Sequence, residues 1–186
     1  MKRFHFDDIL KMKIREGLLQ MMYQHILIPV DGSKVSEYAF QKGVDIAKRN
    51  NAAITLVHVV DIRTYANVES ERGSLHENAD KYTEKMLNGY KAIALEQGVK
   101  SVDTKIGHGA ARQVITKEIA PKANCDLIIC GSNGINALER FVMGSVSEAI
   151  VRYAKCDVLV VRTEQVPEDF KLEAFTEEFR REYSNN

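Results

Sequence analysis

The stretch Asp126-Leu127-Ile128-Ile129-Cys130-Gly131-Ser132-Asn133-Gly134, followed after nine residues by Gly144-Ser145-Val146-Ser147, decides the fold. Its first part is a continuous apolar run, as in a parallel strand covered on both faces. A glycine-rich loop, Gly131–Met143, follows the run, and Val146, Ala149, Ile150 and Tyr153 then recur at helical spacing. The same buried-strand signature occurs at Ile26-Leu27-Ile28-Pro29-Val30, closed by Asp31-Gly32-Ser33, at Ala53–Val60 after an Asn50-Asn51 turn, and at Asp157–Val161. Ser101–Ile106 alternates polar and apolar residues and reads as an edge strand.

Helical patterns fill the intervals. Ser33 is placed to cap a helix running to about Arg49, with Val35, Ala39, Gly43, Ile46 and Ala47 on its inner stripe. Asp61 to about Ser74 is polar and reads as irregular; Tyr82, Met86, Tyr90 and Ile93 mark a second helix that stops at Gly98. Gly107-His108-Gly109 reads as a turn into a third helix, with Val114, Ile115 and Ile119. Five strands alternating with four helices predict an α/β fold: a doubly wound, five-stranded, mostly parallel, Rossmann-like sheet with helices on both faces. Ligands of such sheets bind at the carboxyl ends of the strands, where the strand order reverses.

The chain has 186 residues with 26 Lys+Arg, 26 Asp+Glu and 45% apolar residues, the composition of a globular domain with short additions. Balanced charge argues against a polyanionic partner such as nucleic acid. The balance is uneven along the chain: Met1–Met22 is slightly basic and Glu164–Asn186 acidic. Three organisational units follow. Residues 1–22 form an N-terminal amphipathic extension, with Phe6, Leu10, Ile14, Leu18 and Met21 on one stripe; residues 23–163 form the α/β domain; residues 164–186 form an acidic C-terminal helical extension carrying Leu172, Phe175, Phe179 and Tyr183. Arg15-Glu16-Gly17 stands shortly before Met21-Met22, as a translated ribosome-binding sequence would, so Met21 or Met22 is a second candidate start. Cys125, Cys130 and Cys156 form no Cys-x-x-Cys pair and read as free thiols of a reducing compartment. No run reaches the ~20 apolar residues of a membrane-spanning helix, and the expected location is cytoplasmic.

The loop after the fourth strand has two readings. Gly131 and Gly134 would let backbone N–H groups approach an anion, and Ser145 and Ser147 stand at a helix start whose dipole favours negative charge. Glycines at such places also serve plain turns. Asp31 reads either as a ligand contact or as a turn cap, and Ser145 either as a phosphate-binding hydroxyl or as a helix cap.

The spacing Gly131-x2-Gly134-x9-Gly144-Ser145 resembles the nucleotide-binding signature of the universal stress proteins. The resemblance runs from about Tyr23 to Thr163 and includes His25–Ser33, His58-Val59, Gly107 and Val158-Leu159-Val160-Val161-Arg162. It implies that Pro29, Val30 and Asp31 line an adenine and ribose region, Asp31 accepting from a ribose hydroxyl. Val59 would meet the adenine through its backbone, and Gly131, Gly134, Gly144, Ser145, Val146 and Ser147 would wrap ribose and phosphates. The implied cofactor is ATP or another adenine nucleotide, with Mg2+ as a companion. The implied assembly is a homodimer through the fifth strand, acting in a stress-response regulatory or protective role on an unknown protein partner. Asn133 stands where the family commonly has His or Arg, and Asp157 where Pro usually follows the cysteine of the last strand.

The alternative is a slow ATPase or a nucleotidyl-transferring enzyme on the same fold. No Gly-x4-Gly-Lys-Ser/Thr motif is present, the strand-end loops apart from Asp31 offer no obvious carboxylate or lysine to stand beside a terminal phosphate, and no catalytic residue is assigned. Gly107-His108-Gly109 has Arg112 where a dinucleotide fingerprint needs its third glycine. Arg140, in the nine-residue loop, reads as a phosphate contact or as a solvated side chain. The five histidines lack metal-ligand spacing and read as surface or core residues, so no metal site is assigned.

Overall fold

The computed structural model describes residues 17, 22–61, 72–134 and 143–170, with 72–77 and 163 by backbone alone. The strands are β1 (His25–Pro29), β2 (Ala53–Val60), β3 (Val102–His108), β4 (Leu127–Gly131) and β5 (Asp157–Val161). Helices α1 (Lys34–Asn50) and α2 (Arg72–Glu96) follow β1 and β2. Helix α3 spans 111–123, and α4 (Ser145–Tyr153) joins β4 to β5. The sheet order is β3-β2-β1-β4-β5 and every pairing is parallel, so the sheet is wholly rather than mostly parallel, with β3 at an edge as its alternation predicts.

The two faces of the sheet bury different helices. Ile26, Ile28, Leu56 and Ile129 join α1 and α2 through Phe40, Val44, Met86 and Tyr90, where Phe40 and Tyr90 meet edge to face at 4.8 Å. Leu27, Val57, Ile128 and Cys130 join Ile115 of α3 and Ile150 of α4 on the other face. Alternate residues of β1 and β4 thus serve opposite cores, which is why their runs carry no polar positions.

Local signals act as read at most boundaries. The Ser33 hydroxyl accepts from Ser36 N–H at 3.1 Å and caps α1, and Asn51 ends that helix in the left-handed conformation at φ 55°. Gly98, at φ 98°, lies two residues past α2. Three boundaries differ. Helix α2 starts at Arg72, inside the stretch read as irregular, because the apolar stripe marks only its later turns. Gly107 and His108 belong to β3, paired with Val59 and Val60, and the turn falls at Gly109, φ 117°. Helix α3 is α over Ala111–Gln113, π over Val114–Ile119 and α again over Ala120–Ala123. Pro121 has no N–H to give and follows the wide turns directly. Residues 1–16 and 18–21 of the N-terminal extension, Arg140, and the C-terminal helix around Leu172, Phe175, Phe179 and Tyr183 lie outside the described residues. Ahead of that segment, Thr163–Gln165 forms a short 3-10 turn, and Phe170 packs edge to face on Tyr38 of α1 at 5.1 Å.

Gly43 is where α1 lies closest to the sheet: a Cβ there would collide with Cδ1 of Ile28, a side chain with no exposure. Gly43→Val is expected to destabilise the fold by about 1–3 kcal/mol, read as a lower urea midpoint with an unchanged slope.

Candidate functional site

Strand β1 lies where the sheet order reverses. The chain leaves it into α1, which packs on one face, and leaves β4 for α4, which packs on the other, so a crevice opens between the two strand ends. It holds a cavity of about 440 Å³, within the usual range for a small-molecule site. All ten residues singled out from the sequence line it: Pro29, Val30, Asp31, Val59, Gly131, Gly134, Gly144, Ser145, Val146 and Ser147.

One side of the cavity is apolar, built from Val30, Val57 and Val59 with Ala111, Ile115 and Ile150 of the covering helices. Strand β2 outruns β1 here. Val30 N–H donates to Val57 O at 2.8 Å, while Val60 O accepts from Gly109 N–H on the β3 side at 2.9 Å. Successive residues of a strand turn their backbone groups to opposite edges, so N–H and C=O of Val59 face the β1 side beyond that strand's last pairing.

The other side is built from helix starts and glycines. The Asp31 carboxylate accepts from Ser33 N–H at 2.9 Å, and Asp31 N–H donates to the Ser36 hydroxyl at 3.1 Å, fixing the turn in which Gly32 takes φ 76°. Asp31 thus holds the turn and lines the cavity at once. A Cβ on Gly134 would stand 2.7 Å from Asp31 Oδ2, one on Gly131 would press on Val35 and the backbone of Ser36, and one on Gly144 would stand 3.3 Å from Ser132 O. None of these three glycines has a positive φ; what they allow is close approach of their neighbours.

Helix α4 begins without a side-chain cap. Glu148 N–H donates back to Gly144 O at 2.9 Å and Gly144 N–H is used on Ser132 O at 2.8 Å. The N–H groups of Ser145, Val146 and Ser147 therefore have no partner inside the helix and sit at the cavity, at the positive end of the helix dipole. The Ser147 hydroxyl is buried and donates to Gly131 O at 2.7 Å, so it ties α4 to β4.

Sequence reasoning missed His58 and Ser36. Nδ1 of His58 donates to Val30 O at 2.7 Å, so it carries the proton of the neutral ring. Burial pushes the His58 pKa below its ordinary 6.5, opposed by that carbonyl and by the Asp31 charge. A histidine ending a buried strand was the available signal, but only the tertiary path of β1 puts a carbonyl against it. Asn133 is buried in the cavity wall. Among the described residues no three His, Cys, Asp or Glu side chains gather as a metal site.

The profile of the universal stress protein family matches residues 22–162. The chain belongs to the universal stress protein family. A relative from Staphylococcus haemolyticus, named as a universal stress protein, is 49% identical over 164 residues, spanning 88% of this chain and 99% of its own. One from Staphylococcus aureus is 48% identical over 163 residues, spanning 88% and 98%. Among solved structures, universal stress protein UspA from Lactobacillus plantarum superposes with a TM-score of 0.67 at 28% identity, covering 76% of this chain and 99% of its own. A universal stress protein solved in complex with cAMP gives 0.58 at 25% identity, covering 76% and 98%. An Arabidopsis thaliana member with AMP bound shares the fold, with a TM-score of 0.54 at 20% identity over 78% and 97%.

Because the folded His58 prefers the neutral ring, the unfolded chain binds the proton more tightly and stability falls as pH drops through 6.5. The melting temperature is expected to decline between pH 7 and pH 5. His58→Asn, which keeps an N–H for Val30 O without a titrating ring, is expected to flatten that decline.

Proposed function

We propose that this universal stress protein binds ATP in the cavity at the β1–β4 crevice and acts as a cytoplasmic, stress-response regulatory or protective dimer whose protein contacts respond to the bound nucleotide. The observation that carries the reading is the start of α4, which has no side-chain cap and whose first three residues line the same cavity as Val59. A purine ring suits the apolar side, where Val59 offers one backbone donor and one acceptor to a heterocycle edge. The Asp31 carboxylate accepts from a ribose hydroxyl. Phosphates suit the α4 start and the glycine loop, which recognise charge through backbone N–H groups and need no lysine. Mg2+, where it accompanies the triphosphate, is held mainly by phosphate oxygens and water. The cAMP complex of a family member of the same fold supports an adenine nucleotide as the ligand class.

Dimer formation is read from β5. This edge strand leaves Leu159 37% exposed and Val158 and Val160 half-buried, an apolar edge unusual for a strand facing water. Leu159→Lys is expected to convert the dimer to monomer in light scattering, and an unchanged mass would remove β5 from the interface.

The nucleotide reading is tested on purified protein by denaturing it, clearing the precipitate and measuring adenine absorbance and nucleotide identity in the extract, with ATP titration of nucleotide-free protein alongside. Gly134→Leu is expected to weaken ATP binding by about a hundredfold or more, since its side chain must displace the Asp31 carboxylate. Protein that neither carries an adenine nucleotide nor binds added ATP would overturn the proposal.

A further inference from the structure

At the amino ends of β4 and β5, opposite the cavity, two cysteines distant in sequence come together. Cys125 precedes β4 and Cys156 precedes β5, and their sulfurs stand 3.9 Å apart. Both are partly accessible, whereas Cys130 is buried in the sheet. The remaining contacts of Cys125 hold it in place: its sulfur lies 3.8 Å from Ala120 O at the end of the π turns, and the neighbouring Asp126 carboxylate is anchored by Gln24 N–H at 2.7 Å and His25 N–H at 3.1 Å. Asp157 N–H donates to Asp126 O at 3.2 Å, which keeps the two cysteine-bearing turns side by side.

We propose that Cys125 and Cys156 form an oxidant-responsive dithiol site, converted to an intramolecular disulfide by a hydroperoxide. The first step is attack of the Cys156 thiolate on the peroxide: a sulfur–oxygen bond forms at Cys156, the oxygen–oxygen bond breaks, and the other oxygen leaves as alkoxide or hydroxide, which takes up the proton the Cys156 thiol released and becomes alcohol or water. The Cys125 sulfur then attacks the Cys156 sulfenic sulfur. The sulfur–oxygen bond breaks and the expelled hydroxide takes the Cys125 proton to give water. Overall two thiols and one hydroperoxide yield one disulfide, one alcohol or water, and one water.

The order follows from surroundings. Burial, reinforced by the adjacent Cys156, pushes the Cys125 thiol up to about 12, which suits the resolving role. Burial, with the Asp126 and Asp157 carboxylates beside it, also raises Cys156, but it is the less enclosed of the two, and the hydrogen bond from Cys125 opposes the shift by stabilising its thiolate, so peroxide attack is expected to quicken as pH rises. At 3.9 Å the two sulfurs are already in van der Waals contact, and the disulfide requires them to close to ~2 Å. The closed loop would contain β4, the glycine loop and α4, so the bond would clamp the segment bearing the phosphate side of the cavity from its far end.

The test treats full-length, reduced protein with a small excess of hydrogen peroxide and follows intact mass, non-reducing electrophoresis and peptide mapping. A loss of about 2 Da, a Cys125–Cys156 linked peptide and a monomeric band are expected, with a reversible rise in melting temperature of about 5 °C or more. Cys125→Ser is expected to leave Cys156 as a trappable sulfenic acid, and Cys156→Ser to abolish peroxide uptake at this pair. Chain-to-chain cross-links, added oxygens on wild-type protein without the linked peptide, or no change in mass would each overturn the proposal. None of these readouts depends on nucleotide, so the two proposals fail separately.

Discussion

The parting of β1 and β4 is the constraint on which the rest of this molecule depends. Parallel neighbours cannot be joined by a tight turn, so each strand must hand the chain to a helix on one face or the other. Here β1 hands it to α1 and β4 hands it to α4, on opposite faces, and among the described residues no element fills the space above the two strand ends. Every property of the cavity descends from that vacancy. The apolar side exists because β2 continues past the end of β1, and the polar side because two helices start at the same level.

Those two helix starts are handled differently. At α1, Ser33 accepts from Ser36 N–H and Asp31 from Ser33 N–H, so two donors of the first turn are met by side chains of the protein. At α4 the capping position is glycine, which has no side chain to offer. The loop glycines are explained twice over: a Cβ at Gly131 or Gly144 would crowd Val35 or Ser132, and one at Gly134 would have to displace the Asp31 carboxylate. Plain turn and anion cradle are therefore not rival accounts. The close packing that demands glycine also brings backbone N–H groups to the cavity edge.

The far end of the sheet is built on the opposite plan. There the Asp126 carboxylate ties Gln24 and His25 to the start of β4, and Tyr23 reaches across to donate to Asp157 at 3.0 Å. This hydrogen-bonded end holds the register of β1, β4 and β5, so the open end carries little of that burden. The cysteine pair lies at the tied end, and what happens there reaches the cavity only through the rigid strands between them.

Strand identity, helix number and the parallel sheet were legible because two-sided burial leaves uninterrupted apolar runs, and Ile26–Val30 and Leu127–Cys130 contain nothing else. The family, and through it the ten cavity residues, was legible because the glycine spacing is local in the chain. The start of α2 was not, since its first turns lack a stripe, nor was the π segment of α3, whose wide turns leave no periodic mark. Only the tertiary structure set His58 against the Val30 carbonyl, committed the Ser147 hydroxyl to Gly131 and brought Cys125 to Cys156. Each joins residues in or beside elements far apart in the chain, and such contacts depend on how β1, β2, β4 and β5 are ordered and staggered. Residue spacing determines which face a side chain takes; the order of the strands decides what it meets there.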